Sequence, residues 1–336
     1  MEMLKFLFLI LMLYSINATL IFEWKTLDLQ FPSPEVRQRM IEDQSFITED
    51  INIRRVAIYE DKLFVQLYQA RGAPLSLAYV NLTDTSTKSP ILIPYPRWSA
   101  HFDTLEESRL IHDVMAIRVD HCHRLWILDR INEGFLTHHA LIIFDLATDQ
   151  VIKRHKFSNP GYRIAMAIDD ANCDDTYAFT SDDYSGDIWV YSFKKNETRC
   201  IPGDKISSMI FTSNTIYYNK GKDVFYVATE KLKNSDNVRD FERKSELNAD
   251  LLISALDSKN NVLYYANKYC ECNDIHTVCW DATKPCDRHD LRLGNYTTFQ
   301  VTDLILNKDT LYVLEATLSF TSEVQYKFHS VSLTEK

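Results

Sequence analysis

Glycine is scarce in this sequence. Only 7 of its 336 residues are glycine, against an average usage of about 7%, so a fold rich in tight turns must build them from other residues. Positive charge is short as well: 37 Lys and Arg face 47 Asp and Glu, a formal net charge of −10. With no basic stripe to neutralise phosphates, a nucleic-acid partner is excluded. A Gly-rich phosphate loop, a Gly-x-Ser-x-Gly elbow and a His-Glu-x-x-His helix are all missing, so no cofactor or resident metal is expected. Past the N-terminus no apolar run approaches the roughly 20 residues of a spanning helix. No membrane partner is expected either.

What is present reads as a secreted globular protein. Lys5, an apolar run from Phe6 to Tyr14 and small or polar residues from Ser15 to Ala18 form a signal segment, residues 1–18. Residues 19–336 are then the mature domain. Sequons at Asn81, Asn196 and Asn295 lie in polar stretches between apolar runs, where a glycan would project clear of a core. Seven cysteines in an oxidising compartment should pair with one left over. Cys122 and Cys173 each precede a strand-like segment, so a bridge between them would staple neighbouring units. Cys270, Cys272, Cys279 and Cys286 read as disulfide partners, with a four-thiolate zinc site as the alternative. Cys200 is the expected odd thiol.

One pattern recurs six times: an apolar run, a short polar or acidic turn, and a second apolar run. The copies are 55–68, 114–129, 164–181, 207–229, 251–267 and 303–315. With Phe64, Trp126, Tyr177, Phe225, Leu263 and Tyr312 as equivalent points, the spacings are 62, 51, 48, 38 and 49 residues. Each copy is rich in Val, Ile, Tyr, Phe and Leu and reads as a β-hairpin. Further strand-like runs, 140–146 and 187–193, supply outer strands. Four strands in about 50 residues, six times over, is an all-β six-bladed β-propeller. The turns Glu60-Asp61, 120–123, 170–175, 219–223, 257–261 and 307–309 rely on Asn and Asp, which tolerate a left-handed backbone. Helical signal is confined to 34–41 and 236–245.

Specific segments carry a resemblance. They include Phe22-Glu-Trp-Lys-Thr-Leu-Asp-Leu, Gly72-Ala-Pro-Leu-Ser-Leu-Ala-Tyr-Val, Pro94-Tyr-Pro-Arg-Trp, Val119-Asp-His-Cys-His-Arg-Leu-Trp-Ile-Leu-Asp, Asp187-Ile-Trp-Val-Tyr and Val278-Cys-Trp-Asp. In order and spacing the chain resembles the yellow/major royal jelly protein family of insects. The resemblance implies a six-bladed propeller and a Cys122–Cys173 bridge. It also implies a second bridge from the Cys279 position to a cysteine near the C-terminus, and this chain has none after Cys286.

A propeller's candidate site is its central channel, where the inner strands converge. By repeat register the entrance holds Asp113, Tyr162, Arg163, Asp250, Gln300, Thr302 and Asp303. Carboxylates and a ring suit a protonated aromatic amine through charge-assisted hydrogen bonds and cation–π attraction. The candidate ligand-binding residues are therefore Thr302, Asp303, Asp113, Asp250 and Tyr162. Salivary relatives of this family bind biogenic amines through a Gly-Thr-Asp motif, here Val301-Thr302-Asp303, and an Asn-Gly-Phe motif, here Ala316-Thr317-Leu318. The expectation is a secreted, non-enzymatic binding protein of salivary, venom or glandular type, with a small amine-like ligand as partner. The alternatives are a dopachrome-converting enzyme using Asp113 or Asp250, and a nutritive protein with an empty channel. His121-Cys122-His123 and His138-His139 read as turn and strand residues, and the acidic pairs 169–170, 174–175 and 182–183 as solvated turns.

Overall fold

The computed structural model describes residues 18–69, 71–84, 86–102, 109–133, 135–158, 161, 163–182, 185–203, 208–212, 214–220, 223–234, 242–246, 251–267, 274–279, 291–293, 299–317 and 323–333. Residues 1–17 of the expected signal segment, Tyr162, Asp250, Asn295, Leu318 and the cysteines at 270, 272 and 286 lie outside them.

Six antiparallel four-stranded sheets form the molecule. After β1 (Ala18–Trp24) and helix α1 (Pro34–Glu42), blade 1 holds β2 (Ile53–Tyr59), β3 (Lys62–Leu67), β4 (Leu77–Asn81) and β5 (Ile93–Pro94). Blade 2 is β6 (Asp113–Val119), β7 (Arg124–Glu133), β8 (Leu136–Asp145) and β9 (Gln150–Lys156). Blade 3 is β10 (Arg163–Asp169), β11 (Tyr177–Asp182), β12 (Ile188–Ser192) and β13 (Glu197–Ile201). In blade 4, β14 (Ser208–Thr212), β15 (Thr215–Lys220) and β16 (Asp223–Ala228) precede helix α2 (Thr229–Asn234) and β17 (Glu242–Glu246). Blade 5 comprises β18 (Leu251–Asp257), β19 (Val262–Asn267), β20 (Asp274–Cys279) and β21 (Leu291–Arg292). The last blade contributes β22 (Phe299–Asn307), β23 (Thr310–Thr317) and β24 (Tyr326–Ser332), and β1 completes it by pairing with β24. Closure through the N-terminal strand joins the two ends of the ring, leaving only short outer edges to water.

The first strand of each blade touches the first strand of the next, so β2, β6, β10, β14, β18 and β22 ring the axis. Apolar residues fill the seams between blades rather than one central core. Phe64, Tyr95, Ile117, Ile127 and Phe144 pack blade 1 on blade 2, and Trp126, Met166, Trp189 and Tyr191 pack blade 2 on blade 3. Phe22, Trp24, Phe328 and Leu63 close blade 6 on blade 1.

The scarcity of glycine is met by non-glycine residues in the left-handed region. Inner hairpins turn on Glu60, His123, Asn214, Asn261 and Lys308, with φ of 52°, 61°, 65°, 60° and 55°. Blade 3 instead uses a short 3₁₀ turn, Cys173–Asp175, where the Asn172 side chain accepts the Asp174 N–H. Only two of the five left-handed positions are Asn, so the Asn/Asp expectation accounts for part of the solution.

Two sequence expectations are corrected. In blade 4 the turn 219–223 joins the second and third strands, while the inner hairpin turns at Asn214. Phe225 therefore sits on β16, one strand further out than Phe64, Trp126 or Leu263. The misreading arises because Tyr217-Tyr218 and Phe225-Tyr226 look alike as strand starts. The helix expected over 236–245 is also not borne out in its described part, which begins at Glu242. Glu242–Glu246 is an outer strand paired with β16, so sheet pairing overrides the helical preference of a charged run.

Candidate functional site

A cavity of about 830 Å³ runs along the propeller axis. Its walls are mostly apolar, from Ala57, Ile58, Ile117, Ala165, Met166, Ile168, Ile210, Phe211, Leu256 and Ile305. A backbone irregularity recurs near the start of the inner strands. The register shifts early in five of the six inner strands, between Ile53 and Arg55, Val114 and Ala116, Arg163 and Ala165, Leu251 and Ile253, and Val301 and Asp303. A bulge re-aims the residue that follows it, and Arg55, Ala116, Ala165 and Asp303 are the first lining residues of their strands.

Three charged side chains meet within this apolar tube. Asp303 is 7% exposed; its carboxylate accepts from the Val56 N–H at 2.8 Å and lies 3.8 Å from Arg55. Arg55 also donates to the Thr302 carbonyl at 3.2 Å, and Arg118 donates to the Ile117 carbonyl at 2.9 Å. Burial raises the Asp303 pKa, opposed by the Arg55 and Arg118 guanidiniums and by the N–H groups of Val56 and Leu304. Burial lowers that of Arg118, and Arg55 adds to the effect while Asp303 opposes it. Two cations thus accompany Asp303, the carboxylate that the sequence register placed at the channel entrance.

At the hairpin-turn end the lining continues through Tyr59, Glu60, His121, His123, Asp170 and Lys308. His121 Nδ1 is 2.9 Å from Asp170 Oδ2, which also accepts the His121 backbone N–H at 2.8 Å. Beside them the Cys122–Cys173 disulfide joins the turns of blades 2 and 3, as expected. His121, Cys122 and Cys173 are grouped closely enough for a metal ion, but both sulfurs are committed to the bridge.

Of the remaining sequence candidates, Asp303 lies in the channel and Thr302 beside it, where its hydroxyl donates to the Leu314 carbonyl at 3.2 Å. Asp113 is buried outside the cavity lining and is paired with Arg130. Burial raises its pKa and Arg130 opposes the rise. Arg163, also outside the lining, is stacked between Phe157 and Trp189 at 4.4 and 4.5 Å. Tyr162 and Asp250 lie outside the described residues. Arg55 and Arg118 were missed. Their signal is a cation inside an apolar inner-strand run, Ile53-Arg-Arg-Val-Ala-Ile and Val114-Met-Ala-Ile-Arg-Val.

Other expectations divide. Cys200 carries a free thiol, which burial pushes up to about 11. Cys279 is disulfide-bonded, which removes one ligand from any four-thiolate zinc site; its partner lies outside the described residues. Asn81 and Asn196 are both exposed, Asn81 at the end of β4 and Asn196 in the β12–β13 turn.

Fold and cavity together define a six-bladed propeller with a ligand-sized axial channel. Residues 113–201 match the profile of the major royal jelly protein family. Protein yellow of Drosophila subobscura is 33% identical over 190 residues, 53% of this chain and 33% of that protein. Protein yellow of Drosophila melanogaster is 32% identical over 190 residues, 53% of this chain and 35% of that protein. These matches support the yellow/major royal jelly family for this chain, and the matched region spans about a third of the length of these relatives. A solved DUF4623 family protein from Bacteroides eggerthii shares the fold at a TM-score of 0.53 and 10% identity, covering 83% of this chain and 70% of that one.

Proposed function

We propose that this chain is a secreted, glycosylated binding protein that holds a small aromatic ligand of the biogenic-amine class, or its amino-acid parent, in the axial channel. The observation that carries the reading is a cavity of about 830 Å³ whose mostly apolar walls carry the charged group Arg55, Asp303 and Arg118. A ring fits against Phe211 and the aliphatic walls. An ammonium finds Asp303 already engaged by Arg55, so a ligand that also brings a carboxylate to the guanidiniums is favoured. One such charge-assisted hydrogen bond is worth about 1.5–3 kcal/mol, tenfold or more in Kd.

Titration calorimetry with matched pairs, serotonin against 5-hydroxytryptophan and dopamine against DOPA, tests this. Binding of either member supports the channel reading, and tighter binding of the acid supports the role of Arg55 and Arg118. No heat from any of the four at millimolar concentration rejects it. A second reading, dopachrome conversion, is favoured by the His121–Asp170 pair at the channel mouth, a positioned acid–base group. Dopachrome loss no faster than in buffer rejects that.

A further inference from the structure

The Cys122–Cys173 bridge sits in surroundings unlike those of an inert structural disulfide. Cys173 is exposed and Cys122 half-buried, so an incoming reagent reaches Cys173 first. His121 Nε2 lies 3.7 Å from both sulfurs. The other ring nitrogen is fixed by Asp170 at 2.9 Å, which leaves Nε2 as the atom facing the bridge. Asp, His and two sulfurs are thus in the order used to activate a thiol.

The two turns do not depend on the bridge to stay together. Arg124, on blade 2, donates to the Cys173 carbonyl at 2.9 Å and to the Thr176 hydroxyl at 2.5 Å, both on blade 3. The His121 N–H to Asp170 contact is a further link between the same turns. An opened bridge therefore leaves its two sulfurs close, where they can close again.

We propose that Cys122–Cys173 is a thiol-exchange site for small-molecule thiols of the glutathione or cysteine class, with His121 as the proton donor and Asp170 as its positioning residue. The thiolate of the small molecule attacks Cys173 Sγ. A mixed disulfide forms there as the Sγ–Sγ bond breaks, and the electron pair leaves on Cys122 Sγ, which takes a proton from His121 Nε2. A second thiol attacks the mixed disulfide, releasing the oxidised small-molecule disulfide and the Cys173 thiolate. In sum, two thiols are oxidised to one disulfide and the protein bridge is reduced to two thiols. The inference does not rest on the identity of the channel ligand.

The test is reduction of the folded full chain by millimolar glutathione, quenched by alkylation and read by peptide mass spectrometry. The expected result is that Cys122 and Cys173 become alkylated or glutathionylated while the Cys279 bridge stays closed. His121→Ala should slow the opening tenfold or more. His121→Gln, which retains a polar side chain without a titratable proton, should be as slow, and Asp170→Asn intermediate. In urea, where the geometry is lost, all four chains should react at one rate. A bridge that resists glutathione in the folded protein overturns the proposal, as does opening at the wild-type rate in either folded His121 variant.

Discussion

Removing the Asp120 carboxylate should be among the most damaging single changes in the inner hairpins. Its Oδ1 accepts the N–H groups of Cys122 and Arg124 at 3.0 and 2.9 Å, and its Oδ2 accepts Arg124 Nε and Trp126 Nε1, each at 2.6 Å. The Asp120 side chain is 0% exposed and that of Arg124 6%. Asp120→Ala leaves a buried guanidinium and an indole N–H without this acceptor, and breaking such a pair from one side costs about 3–5 kcal/mol. At the roughly 2 °C per kcal/mol suited to a large domain, Tm should fall by about 6–10 °C. The assay is thermal and urea unfolding of the two single variants and the double variant Asp120→Ala/Arg124→Met. Because Met keeps an apolar stem against Phe193, which Arg124 covers at 4.4 Å, the double variant should be more stable than Asp120→Ala alone, with a coupling of about 2 kcal/mol. A loss below about 1 kcal/mol in Asp120→Ala, or strict additivity in the double variant, refutes the reasoning.

Acid should destabilise the protein through buried histidines. Burial lowers the pKa of His101 to about 4 and that of His139 to about 3, so between these values and the ordinary 6.5 the unfolded chain binds more protons. Stability therefore rises with pH in that window. At about 1.4 kcal/mol per pH unit, His101 alone contributes roughly 3 kcal/mol that is fully present above pH 6.5 and lost as pH falls to about 4. Urea unfolding across pH 4–7 should show this slope, and His101→Leu should remove about half of it, leaving the His139 share. Gly72, at φ 87°, would place an added Cβ 2.8 Å from Ile47 Cβ, so Gly72→Ala should cost about 1–3 kcal/mol in the same assay. Asn214→Gly, at a left-handed turn, should change stability by no more than about 1 kcal/mol.

Five blades were legible because their inner hairpins alternate branched and aromatic residues around a polar turn. Blade 4 was placed but read one strand out of step, since Tyr217-Tyr218 and Phe225-Tyr226 both look like second strands. Outermost strands such as β5 and β17 were not legible: they are short or polar, and only pairing with a formed sheet makes them strands. The site was half legible. Asp303 follows from repeat register, but whether a carboxylate faces a ligand or a protein cation depends on partners distant in sequence. Arg130 neutralises Asp113 across the β6–β7 pair, and Arg55 reaches Asp303 from another blade.

The most direct measurement for the central claim is a crystal structure of the protein with 5-hydroxytryptophan. Ligand binding in the channel predicts density on the axis, its ring against Phe211, its carboxylate within hydrogen-bond distance of Arg55 or Arg118 and its ammonium near Asp303. A clear channel with the ligand on the outer surface, or no bound ligand at saturating concentration, would contradict it.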